Sequence, residues 1–291
     1  MSVLERASAL AVAVVPPLPA PSWGLWRRQL AAAVRLELKK GFRGRRVLGV
    51  VLLASMPVAI FALHALFNSP DDPANVGEVA WHFAGLYQAF IMRLVLFFGC
   101  VLVFGNLIRR ELLDRSLHFY FLAPVRRELL AAAKYLTGLV VTLSVFGAAT
   151  VASFFLAYAG YDGAAARRFI FDGPGLGHLG AYLGVTALAC LGYGAVFLAA
   201  GFFTKSPALP AVTVFGWENL HFLLPPALKK ISVIHYLQGL CPVPISQGPL
   251  AILADAPSPW VAVPGLLGLT LVLLFLSAWK IRRMEILYTE D

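Results

Sequence analysis

Residues 109–134 read RRELLDRSLHFYFLAPVRRELLAAAK, and the rest of the chain is best understood outward from them. Six basic and three acidic side chains surround an apolar centre at 117–125. Membrane-length apolar runs bracket the stretch on both sides. A segment this charged cannot lie in hydrocarbon, where polar groups must be satisfied internally. Yet Phe119, Tyr120, Phe121 and Leu122 are too apolar for a loop that meets only water. The stretch therefore reads as a cytoplasmic surface between two spans, onto which another molecule docks. The plainer alternative is a loop on the lipid surface with its arginines against acidic headgroups.

Composition points the same way. Of 291 residues, 59% are hydrophobic and 13% charged, where a soluble domain carries about a quarter charged. Mean hydropathy is +0.77. Several runs reach the roughly 20 residues that carry a helix across about 30 Å of hydrocarbon. The chain reads as an all-α integral membrane protein with six transmembrane helices, at about 47–67, 85–108, 135–159, 179–203, 207–225 and 260–279. With that assignment nineteen of the 24 Lys and Arg fall on one side. Four (Arg167, Arg168, Lys229 and Lys230) fall on the other, and Arg93 lies within the second span. The asymmetry places both termini and the 109–134 loop in the cytoplasm, and it accounts for the net charge of +9 without nucleic acid.

The flanking segments fit this plan. Residues 1–22 read as a cytoplasmic tail rather than a signal peptide, because Glu5 weakens the leading positive region and PPLPAPS ends the apolar run. From 23 to 46, Trp23, Trp26, Leu30, Val34, Leu38 and Phe42 recur at three- and four-residue steps among eight Lys and Arg. That pattern predicts an amphipathic helix lying in the membrane interface. Residues 226–259 hold several prolines, which argue against a seventh span. Short external helices or a partial re-entry are expected there. Gly180 and Gly184 offer a small-residue packing face in the fourth span. The stretch 175–180, GLGHLG, matches a dinucleotide fingerprint only formally, since no strand precedes it.

An interfacial basic helix, six spans, a charged loop after the second and external helices before the sixth together resemble the type-2 ABC exporter permeases. The resemblance covers about residues 23–285. Its most specific part is the opening loop, with Glu111 after the second span, an apolar stretch closing on Phe121, Leu122, Ala123 and Pro124, and Lys134 opening the third span. Arg115-Ser116 departs from the more usual Gly-Thr pair, so the local turn differs. The resemblance implies a homodimeric or heterodimeric permease in the bacterial cytoplasmic (inner) membrane, driven by separate ATP-binding cassette subunits that carry ATP and Mg. Its coupling helix would lie within 109–134, and Glu111, Arg115, Phe119, Phe121, Pro124 and Arg126 would meet the ATPase. No GxxxxGK[ST] stretch occurs in the sequence, so a P-loop must come from a partner and the chain itself reads as no enzyme.

Two charges fall inside apolar spans, where ionisable residues mark functional sites by default. Arg93 and Glu218 both count to roughly 10 to 12 Å below the outer surface, at 1.5 Å per residue. Equal depth and opposite sign suggest an ion pair between the second and fifth spans. Asn219 and His221 extend the patch toward a translocation path or a polar seam between protomers. An ion-coupled secondary transporter built on Arg93 and Glu218 is the alternative function, although no internal repeat supports it. A membrane-embedded enzyme or metal site is disfavoured because the six histidines are scattered and the three cysteines share no ligand spacing.

Overall fold

Apolar runs punctuated by turn-forming residues fold into helices throughout. The computed structural model describes residues 23–42, 45–67, 76–105, 107, 126–161, 163–204, 206, 208–220, 225–245 and 256–283, and no strand occurs among them. An amphipathic helix α1 (Trp23–Phe42) precedes α2 (Arg45–Phe67). Helix α3 runs over Val76–Phe104 as one 29-residue rod, with its middle, Tyr87–Leu96, wound as a π-helix. Helix α4 (Arg127–Ala159) has 33 residues. A short α5 (Gly163–Arg167) and a π-turn (Arg168–Asp172) lead into α6 (Gly175–Phe203). Four more follow: α7 (Ala208–Asn219), α8 (Pro226–Lys229), α9 (Val233–Gln238) and α10 (Pro259–Arg282).

Five of these, α2, α3, α4, α6 and α10, are long and apolar enough to cross a membrane, which fits a membrane protein. The sequence leads to a further crossing at 207–225, but α7 has 12 residues. Its rise of about 18 Å falls short of one crossing. The reason is local chemistry. Asn219 turns its amide back onto the Phe215 carbonyl at 2.8 Å, the chain bends at Leu220, and Glu218 draws α9 toward itself. Two other boundaries move outward. Helix α4 starts at Arg127, within the stretch read as loop, because RELLAAA is built of strong helix formers with Glu128 in the first turn. Helix α3 starts at Val76, ahead of the expected 85.

Helix α6 forms the centre, 61% buried over its span window against 22% for α2 and α10. Helix α4 packs against α1, α2, α6 and α10. Within the chain no helix packs closely at Gly180 or Gly184, since a Cβ at either would meet nothing within 4 Å. Close approach uses other glycines. Phe104 of α3 fills a slot between Gly138 of α4 and Gly194 of α6, and Phe146 of α4 lies over Gly99 of α3. Each helix of the α3–α4 pair thus inserts one ring into a gap opened by the other's glycine.

The slot makes a test. Gly138→Ala should destabilise the protein by roughly 1–3 kcal/mol, the usual cost of overpacking. Phe104→Leu in the same chain should recover much of that loss, read by thermal unfolding in detergent. If the two substitutions simply add, Phe104 does not occupy the Gly138 slot.

Candidate functional site

Helix α7 carries Glu218 into the interior at its last turn but one residue from its end. The side chain is 3% exposed. Its Oε1 accepts the Val233 N–H at 2.9 Å. Its Oε2 accepts the Ile234 N–H at 2.8 Å, the Ser232 hydroxyl at 3.0 Å and the Tyr193 hydroxyl at 3.3 Å. Ser232 is also the N-cap of α9, and its Oγ accepts the His235 N–H at 3.4 Å. The first N–H groups of a helix have no partner within it. Here a carboxylate from another segment supplies one, so α9 owes its start to Glu218.

Helix α9 is sunk into the bundle. Val233, Ile234 and Leu237 are buried, and α9 packs against α6 and α10. Gly192 of α6 lets Val233 and Leu266 approach closely. Tyr236 donates its hydroxyl to the Lys230 carbonyl at 2.8 Å, which ties α9 to the turn before it.

The π-wound middle of α3 faces this assembly. Arg93 lies within electrostatic reach of both Tyr193 and Glu218. The structure therefore gathers Arg93, Tyr193 and Glu218 from three helices. Counted along those helices, each lies roughly 15 Å from the end of the bundle where α3 and α6 finish and α7 begins. That is about half of a 30 Å hydrocarbon layer. The sequence count runs instead from the outer side, Arg93 from the start of the second span and Glu218 from the end of the fifth, at roughly 10 to 12 Å. Asn219 is half-buried beside this group, and His221 lies outside the described residues.

The same π-segment supplies a second polar line. Tyr87 donates to the Tyr182 carbonyl at 2.8 Å and shares a 2.8 Å hydrogen bond with Thr186, which lies 3.3 Å from Thr150. Gln88 donates to the Val243 carbonyl at 2.8 Å. A ten-residue π-helix is uncommonly long, and π-wound turns cluster at functional sites.

A third group sits at the bundle end where α4 begins. Lys134 of α4 and Glu37 of α1 form a buried ion pair at 3.4 Å. The Arg126 guanidinium covers the Trp26 ring at 4.4 Å. Glu128 pairs with Arg282, and Arg127 reaches the Arg282 carbonyl at 3.5 Å, so α10 is clasped to α4. Of the residues expected to meet an ATPase, only Arg126 is among those described. Glu111, Arg115, Phe119, Phe121 and Pro124 lie outside them.

Sequence reasoning missed Tyr193, Ser232 and Glu37. The signal for Glu37 was available: it follows Val34 by three residues on the apolar face of α1, where an acid needs a cation. Tyr193 and Ser232 gave no signal, because neither residue type is unusual in its segment. Among the described residues no group of three or more His, Cys, Asp or Glu could hold a metal ion. No protein-family model matches the sequence, and no curated protein matches it.

Arg93→Ala and Glu218→Ala should each lower thermal stability in detergent. The double substitution should be less damaging than their sum, by roughly 1–3 kcal/mol, as for residues in one network. Strict additivity would mean that the two groups are not coupled.

Proposed function

We propose that this chain is the transmembrane permease subunit of an ATP-driven ABC exporter. It works as a pair of protomers, with ATP and Mg carried by a separate ATP-binding subunit. The observation that carries the reading is the junction at the start of α4. Trp26 and Glu37 of α1 meet Arg126 and Lys134 there, beside the Glu128–Arg282 clasp to α10. The 109–125 stretch, which immediately precedes this junction in sequence, is the docking loop of this reading. A force applied to that loop passes to α1, α4 and α10 as one unit, and α4 is a rod of about 50 Å. A stiff element joined to a docking loop is what transmission from a soluble partner requires.

In this reading Glu111, Arg115, Phe119, Phe121, Pro124 and Arg126 form the docking surface, with aromatics at the centre and arginines at the rim. The junction faces the cytoplasm of a bacterial inner membrane, as do both termini. A sixth crossing at about 207–225, of which α7 is the described part, belongs to this reading. Arg93, Glu218, Asn219 and His221 line the moving interior. One observation favours a second reading: Arg93, Tyr193 and Glu218 are gathered from three apolar helices, as an ion-coupled carrier would need.

The test is purification of the tagged full chain from its native host in mild detergent, with mass spectrometry and an ATPase assay. A subunit carrying a P-loop should co-purify, and Phe119→Ala, Phe121→Ala and Arg126→Ala combined should release it. A wild-type chain that purifies alone, yet carries a proton or sodium flux in vesicles that Arg93→Ala abolishes, would replace the exporter reading with the ion-coupled one.

A further inference from the structure

Far from the α4 junction, α5 and the π-turn after it enclose a surface depression of about 560 Å³. It is lined by Ala164, Arg167, Arg168, Phe171 and Asp172. Spacings of three to five residues put all of these on one side of the α5–π-turn unit. The platform beneath is firmly seated. Phe169 stacks on Tyr158 with ring centroids 5.3 Å apart and meets His178 edge-on at 5.9 Å, while Ile170 is buried. A Cβ on Gly173 or Gly175 would run into the backbone of Phe169 and Ile170, so the turn is pressed against the start of α6. Among the described residues neither guanidinium is ion-paired with Asp172, although the three groups border one depression. Phe171 is 60% exposed, and Leu176 stands exposed at the first turn of α6.

We propose that this depression binds the headgroup of a phospholipid that carries a primary ammonium. Arg167 and Arg168 hold the phosphate, for which the guanidinium fork is shaped. Asp172 accepts from the ammonium, and Phe171 lies along the glycerol and the first acyl carbons, the level that aromatic side chains favour. The carboxylate sets the selectivity. It repels a headgroup that is anionic throughout, and it finds N–H donors on a primary ammonium that a quaternary one lacks. The depression lies between the ends of two membrane-length helices, α4 and α6, which is where lipid headgroups lie. This inference needs only a bilayer and does not rest on the exporter reading.

The experiment reconstitutes the full chain in phosphatidylcholine vesicles. They are doped with traces of spin-labelled phosphatidylethanolamine, phosphatidylcholine or phosphatidylglycerol, and the motionally restricted fraction is measured by electron paramagnetic resonance. Phosphatidylethanolamine should be restricted more than the other two. Arg167→Ala with Arg168→Ala should weaken its association about tenfold, the loss of roughly one charge-assisted hydrogen bond. Asp172→Asn should bring phosphatidylethanolamine level with phosphatidylcholine, and all of these variants should melt like the wild type. Equal restriction of the three lipids, a preference for phosphatidylglycerol, or indifference to both substitutions would overturn the proposal. So would displacement of the labelled lipid by inorganic phosphate in the buffer, which would make this a site for the free ion.

Discussion

Glu218 takes hydrogen bonds from two backbone N–H groups, a serine and a tyrosine while almost wholly removed from solvent. A carboxylate left alone in such surroundings would be costly, and so would the bare N–H groups at the start of α9. Each solves the other's problem. The result is that the end of α7 and the start of α9 are joined at one carboxylate. The segment 225–245 then packs against α3, α6 and α10. Tyr193 ties the same carboxylate to α6, the most buried of the five long helices, and Arg93 adds a cation from the π-wound part of α3. Remove Glu218, and the second half of the bundle loses the group that fixes its order.

The opposite requirement governs the junction at the start of α4. There the charges sit near the bundle's edge and act as clasps. Glu128 lies in the first turn of α4 and Arg282 in the last turn of α10, each at the helix end its charge favours. The Glu37–Lys134 pair is buried, so removing one partner strands the other. The two centres divide the labour in the proposed mechanism. The junction receives a force, and the Glu218 network sets how the interior can respond to it. The long π-segment in α3 brings Arg93 to the Glu218 network, and its wider winding is the natural place for a change in pitch.

The five long helices were legible in the sequence, because about 20 apolar residues in a row have few other structures open to them. Arg93 and Glu218 stand out in the sequence for the same reason, since charges are rare in such runs. Hydropathy sees 207–225 as one apolar run and carries no trace of the bend at Leu220 or of the hydrogen bonds that Glu218 makes to residues 14 to 16 positions later. The packing glycines were hidden too. Gly180 and Gly184 look like a helix-packing motif, yet what matters at a glycine is the ring that arrives from elsewhere, as Phe104 does at Gly138 and Gly194. The π-winding of Tyr87–Leu96 left no mark in residue type. Long-range partners, in short, decided what local pattern could not.

Amide hydrogen exchange at Val233 and Ile234 bears most directly on the claim that Glu218 organises this half of the protein. In the wild-type chain both amides should exchange slowly. In Glu218→Ala they should speed up by about tenfold or more, the loss of roughly one hydrogen bond to a charged group. Exchange in α4 should stay unchanged. Unaltered rates at those two amides would contradict the account, because α9 would then be held in place by packing alone.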